Sequence, residues 1–92
     1  MAMLGGWNFA DLKEVNLPQK VATAFTEVMM GFTGASYTPI LYVGSQVVNG
    51  INYMIICKGT LVTKEPVTKI VKMVINVSSS GETSIVSIND II

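Results

Sequence analysis

The spacing of apolar residues divides the chain into one helical segment and a longer segment with strand character. Between Asn16 and Gly34, apolar residues recur at intervals of three and four, which is typical of a helix with one apolar face. Asn16 is suited to the N-cap, Pro18 to the first turn, and Gly31 and Gly34 to left-handed stops. We therefore expect one amphipathic helix. Its apolar stripe comprises Val21, Ala24, Phe25, Val28 and Phe32.

After Gly34 the chain is rich in β-branched and aromatic residues, arranged in short runs that turn residues separate. This pattern predicts strands, and the short connections predict antiparallel pairing between neighbours along the chain. The segment from Trp7 to Val15 mixes apolar and polar residues and is a candidate edge strand, although Ala10 to Glu14 can also form a helical turn. The other predicted strands are Tyr37 to Val48, Ile51 to Thr63, Val67 to Val77 and Thr83 to Ile91.

The strand predicted from Val67 to Val77 has one apolar face. From Val71 to Val77, alternate residues on one side are all apolar, whereas the other side of the strand mixes polar residues with Ile70 and Val74. One helix and one such sheet have a single economical arrangement, with the helix packed across the sheet. We predict an α+β fold of one domain over residues 1–92, with one helix on a four- to five-stranded antiparallel sheet. The apolar side comprises Val71, Met73, Ile75 and Val77, and the polar residues opposite are Thr68, Lys72 and Asn76.

Composition and charge exclude several classes of function. The 92 residues are 50% hydrophobic, and six basic residues balance six acidic ones, so the positive surface of a nucleic-acid-binding protein is missing. Histidine is absent and Cys57 is the only cysteine, which excludes an internal disulfide and the usual zinc sites. Cys57 lies in an apolar run and has no histidine to activate it, so we expect it to be a small buried hydrophobic residue. For the chain as a whole we predict no catalytic residues, no metal and no cofactor.

The sequence also favours a cytoplasmic location. The lone cysteine fits a reducing compartment, the first residues lack the basic start and apolar core of a signal peptide, and no segment is long enough to span a membrane. A secreted form stays open, because Met1 could stand where a signal peptide has been removed. The triplet beginning at Asn76 matches a glycosylation acceptor, a three-residue pattern that arises often by chance.

The pair Asn49-Gly50 predicts a tight hairpin between the first two long strands. Both residue types tolerate positive φ, so they suit the two central positions of a type I′ turn, whose twist matches that of the flanking strands. Taken alone, this pair indicates a turn and no binding function.

The residues before this turn change that interpretation. The run Gln46-Val47-Val48-Asn49-Gly50 resembles the Gln-x-Val-x-Gly signature of the cystatins, which inhibit papain-like cysteine proteases. The longer run from Ser45 to Tyr53 resembles the stefin branch, which is intracellular and lacks disulfides. The order of the predicted elements also resembles that of the family.

The resemblance implies a reversible, tight-binding inhibitor that blocks the substrate cleft of a papain-like cysteine protease with three segments. The implied protease-binding residues are Gly5 and Gly6 in the N-terminal trunk, Gln46, Val47, Val48, Asn49 and Gly50 in one hairpin, and Ser79, Ser80 and Gly81 in a later one. The later hairpin lacks the Pro-Trp of secreted members, so we expect it to contribute little. The alternative is a module of the same shape that self-associates, through an edge-to-edge contact or a domain-swapped homodimer, without inhibiting a protease.

Overall fold

The computed structural model describes residues 6–9, 17–61, 64–65 and 67–92, which form one helix packed against a five-stranded antiparallel sheet. The strands lie in the sheet in their order along the chain, and each neighbouring pair is antiparallel. The predicted α+β class is confirmed, and the arrangement is consistent with a cystatin-like fold. The elements are β1 (Trp7–Phe9), α1 (Gln19–Met30), β2 (Ala35–Val48), β3 (Gly50–Leu61), β4 (Val67–Val77) and β5 (Thr83–Asp90).

The predicted strands agree with the observed ones within two residues wherever the structure describes them. The strand predicted from Val67 to Val77 has those same ends. Of the segment from Trp7 to Val15, the first three residues form β1, so the edge-strand alternative holds there. Residues 10–15 lie outside the described ranges.

The helix is shorter than its apolar pattern suggested. It begins at Gln19, with Pro18 extended at the N-cap (φ −55°, ψ 149°) and no side-chain cap, so the prediction of a cap at Asn16 is wrong. Proline fits this place because the missing N–H has no partner within the helix. Gly31 follows the helix with φ −98°, so it is not left-handed as predicted, whereas Gly34 is, with φ +87°.

The core lies between α1 and one face of the sheet, which we call the helix face. The helical stripe provides Val21, Ala24 and Phe25, and Phe32, beyond the helix, packs its ring edge-on against Tyr37 at 5.6 Å between centroids. The predicted apolar side of β4 faces α1, which contacts β4 and β5. The buried sheet residues of this cluster are Tyr53, Ile55, Cys57, Val71, Met73 and Ile75.

The opposite side of the sheet, which we call the outer face, carries the alternate residues of each strand. On β4 these include Lys72 and Asn76, together with the predicted apolar exceptions Ile70 and Val74. Val74 is only 6% exposed, and its register partners are Met54 on β3 and Ser87 on β5. The sheet therefore has a mixed outer face.

Cys57 is fully buried within the core, as expected for a structural cysteine. Removal from water raises the pKa of its thiol from 9.0 to about 12. The nucleophilic thiolate is therefore scarce in the folded protein at neutral pH.

The raised pKa of Cys57 predicts a loss of stability in alkali. The folded state keeps the proton that the unfolded state releases above pH 9, so the free energy of unfolding falls as the pH rises from 9 towards 12. The loss attributable to this thiol is about 1 kcal/mol by pH 10. Urea denaturation of the parent and of Cys57→Ala at pH 7 to 10.5 measures it. Parallel curves for the two proteins would contradict the prediction.

Candidate functional site

The three segments that the sequence singled out lie at one end of the sheet. Trp7 pairs with Gln46, so Gly6 lies beside the end of β2, and Val47, Ile51, Val77 and Thr83 follow one another across strands β2 to β5. We call this the turn end of the sheet. It contains Gly6, the first turn (residues 46–50) and the second turn (residues 78–82). Gly5 lies outside the described residues.

The first turn presents two valines beside an exposed tip. Asn49 is exposed, whereas Val47 and Val48 are half-buried and neither belongs to the buried core. Val47 is opposite Ile51 on the helix face, and the alternation of a strand directs Val48 to the outer face. The first turn thus offers apolar side chains on both of its faces and carries no charge.

The geometry of this turn differs from the predicted type I′. That type requires positive φ at both central residues, but within the described residues only glycines have positive φ, and Asn49 is not among them. Gly50 has φ +98°, and Val47 pairs with Ile51. The loop between this pair has three residues, 48–50, and Gly50 is the third. A left-handed glycine at the third position is the usual pattern of three-residue hairpin loops.

Gly50 is required for a second reason, which is its contact with β4. A side-chain carbon at this position would collide with the carbonyl oxygen of Val77 and would lie 2.9 Å from the Cα atom of Ser78. The first turn is therefore packed directly against the chain that enters the second turn. Only glycine permits both the backbone conformation and this approach.

Gly50→Ala is expected to lower the free energy of unfolding by more than about 1 kcal/mol, because alanine is strained at this φ and meets the β4 backbone. Gly31→Ala is the matched control, since Gly31 has negative φ and no atom within 4 Å of the added carbon. Urea denaturation of both variants measures the difference. Equal stabilities would contradict this account of the first turn.

The second turn is closed by hydrogen bonds around Ser78. The Ser78 N–H donates to the Glu82 carbonyl at 2.8 Å, and the Gly81 N–H donates to the Ser78 carbonyl at 2.9 Å. The Ser78 hydroxyl accepts from the Glu82 N–H at 3.1 Å and lies 2.9 Å from the Ser80 hydroxyl. The predicted binding residues Ser79, Ser80 and Gly81 are exposed on this ordered turn.

A row of side-chain amides crosses the outer face next to both turns. The Asn52 side-chain nitrogen donates to the Gln46 side-chain oxygen at 3.0 Å, and the Asn76 nitrogen donates to the Asn52 oxygen at 2.9 Å. We call these three residues the amide ladder. Asn76 thus lies inside a strand with its nitrogen engaged, a setting unlike the surface loop that a glycosylation acceptor requires.

Two tyrosines support the strand that leads into the first turn. The rings of Tyr42 and Tyr53 lie 6.4 Å apart between centroids. Burial raises the pKa of the Tyr42 phenol, a hydrogen bond with Ser45 partly opposes this shift, and the nearby Tyr53 adds to it. Tyr42 is therefore a neutral phenol at neutral pH, and it places no charge beside Ser45 and Gln46.

A groove of about 440 Å³ separates the N-terminal half of α1 from the turn end of the sheet. Its floor is apolar and includes Ile51, Tyr53 and Val77, whereas Lys20 and Glu27 lie on its helical side. Within the described ranges, no three potential metal-ligating side chains lie together. The groove is wide and open, and its apolar floor suits an apolar side chain better than a catalytic centre.

Comparisons with protein-family models, with curated proteins and with solved structures find no match. Among the described residues, no helix is long and apolar enough to cross a bilayer.

Proposed function

We propose that this chain is a reversible, tight-binding inhibitor of papain-like cysteine proteases, acting in the manner of the cystatins it resembles. One observation carries the proposal: Gly6, the first turn and the second turn lie side by side at one end of the sheet. Two other arrangements would have excluded insertion of the three segments into one cleft. In one, the N-terminal trunk lies at the far end of the sheet; in the other, Val47 and Val48 lie beneath the helix.

The mechanism that this geometry supports is obstruction. Residues 46–50 carry no charge, and their two half-buried valines can enter a dry cleft without leaving an ion unpaired. The first turn is held by Gly50 against β4, so little conformational freedom is lost when it binds. A contact of standard size, roughly 1,600 Å² in total, accommodates the three segments.

The cellular setting that we propose is a reducing compartment such as the cytoplasm. Cys57 is a free, buried thiol, and the core around it is formed by aliphatic and aromatic side chains. The fold of the described residues therefore needs no oxidising environment to form.

Titration against papain tests the proposal. We expect loss of peptidase activity at stoichiometric inhibitor, recovery of activity after dilution to well below the dissociation constant, and an intact inhibitor chain by mass spectrometry. A serine protease such as trypsin is the control and should keep its activity. Unchanged papain and cathepsin activity at micromolar concentrations of this protein would overturn the proposal.

The second candidate function is self-association, which the edge strand β5 favours. This strand is eight residues long, its only charged residue is Asp90, and Asp90 is paired with Lys69 at 3.2 Å. A long edge with few charges can pair with another chain. Light scattering distinguishes the candidates, because a stable dimer with no effect on papain would favour association over inhibition.

A further inference from the structure

We infer that the amide ladder is a positioning device that holds the first turn in its binding conformation and joins it to the second turn. The inference rests on the proposed function, because it assigns roles within the same binding site. It concerns Asn52 and Asn76, which lie outside the signature motif. Neither residue is expected to touch the protease.

The position of the ladder in the sheet supports this role. Gln46 is the register partner of Asn52, and Asn52 is the partner of Asn76, so the two side-chain bonds follow one straight row across three strands. The same row continues to Trp7 on β1 and Ser84 on β5. The row therefore spans the sheet in register, and its two side-chain bonds link strands β2, β3 and β4 immediately next to both turns.

The ladder restrains the strand that presents Val48, a valine of the first turn that we propose enters the protease cleft. Gln46 and Val48 are two positions apart on the same strand, so they share the outer face. A bond that fixes the Gln46 side chain thus restrains the backbone that presents Val48. The ends of hairpins fray more readily than their centres, and a cross-strand side-chain bond near the tip opposes this opening.

The ladder also works together with Gly50. Gly50 packs the first turn on the backbone of Val77 and Ser78. The bond between Asn76 and Asn52 joins the same two strands, β3 and β4, next to this contact. The second turn is itself closed by hydrogen bonds, so it provides a fixed surface against which the first turn packs. This gives the second turn a role even though it has no apolar side chain.

The amides are not needed to build the core. They lie on the outer face, and the buried cluster beneath α1 contains none of them. Their removal should therefore change the mobility of the turn end and leave the fold in place. This separation makes the inference testable.

The test replaces Asn52 by valine, a residue that favours strands, which removes both ladder bonds. We expect the dissociation rate of the papain complex to rise about tenfold, with the association rate nearly unchanged, because the loss of preorganisation acts mainly on dissociation. Amide hydrogen exchange at residues 47–50 should accelerate, and exchange at Ile55 should not. Asn76→Val, which removes one bond, should show a smaller change in the same direction.

Thr60→Val is the matched control, since Thr60 lies on the same face of the same strand at the opposite end of the sheet. It should leave both readouts within twofold of the parent. Unchanged exchange at residues 47–50 in Asn52→Val would overturn the inference, as would faster exchange with an unchanged dissociation rate. The exchange measurement needs no protease, so it decides whether the ladder restrains the turn even if the parent fails to inhibit papain.

Discussion

Val48→Asp is expected to abolish protease inhibition. Val48 lies next to the exposed tip of the first turn, on a segment without charges, and in the proposed complex its side chain enters the dry part of the cleft. A carboxylate there would lose its hydration and gain no partner. We expect the inhibition constant for papain to rise at least about 100-fold, which corresponds to about 3 kcal/mol of binding free energy.

Thr38→Asp provides the control for this prediction. It introduces the same charge on the same strand, but Thr38 is exposed near the far end of β2, opposite Lys58. Inhibition by this variant should match that of the parent, and both variants should unfold at similar urea concentrations. Strong inhibition by Val48→Asp would place the contact elsewhere and remove the main support for the cystatin-like mechanism.

The fold is predictable from the sequence because its periodicities are strong. The stripe of Val21, Ala24 and Phe25 has the spacing of a helix, and the alternation of Val71, Met73 and Ile75 has that of a strand, and both sets are buried against each other. The helix start was less predictable. Asn16 is a good capping residue by type, yet the extended conformation of Pro18 sets the start at Gln19.

The amide ladder was hidden by the error in the turn type. A two-residue loop at Asn49-Gly50 would place Gln46 opposite Tyr53, and the pair of Gln46 with Asn52 would not be apparent. The observed loop shifts the register by one residue, so that Gln46 is opposite Asn52. Because one residue of register exchanges the two faces of a strand, a small error in the turn conceals the contact that joins Gln46 to the ladder.

The second turn shows a different limit of sequence reasoning. Its composition, with three serines, a glycine and a glutamate, is typical of a flexible loop. The order comes from one residue, Ser78, which uses its N–H, carbonyl and hydroxyl to close the loop. Such convergence depends on the backbone path, for which left-handed Gly81 (φ +90°) is needed, and composition alone does not specify it.

Ile55→Ala is expected to cause the largest loss of stability. Ile55 is completely buried on the helix face of the central strand β3. Truncation leaves a cavity beneath α1, and we expect the free energy of unfolding to fall by about 4 kcal/mol. Domains of this size are stable by only about 5–15 kcal/mol, so the variant should unfold at a much lower urea concentration than the parent.

Ile56→Ala tests whether the loss of stability in Ile55→Ala arises because Ile55 lies on the helix face. Ile56 is the next residue on the same strand, but it is half-buried on the outer face, beside Leu41 and Lys72. The same truncation there removes less buried area and leaves a site that water can fill, so we expect a loss of about 1 kcal/mol. Equal losses for the two isoleucines would contradict the assignment of the helix face. A larger loss for Ile56 would imply a register shifted by one residue, which would also exchange Val47 with Val48 at the turn end.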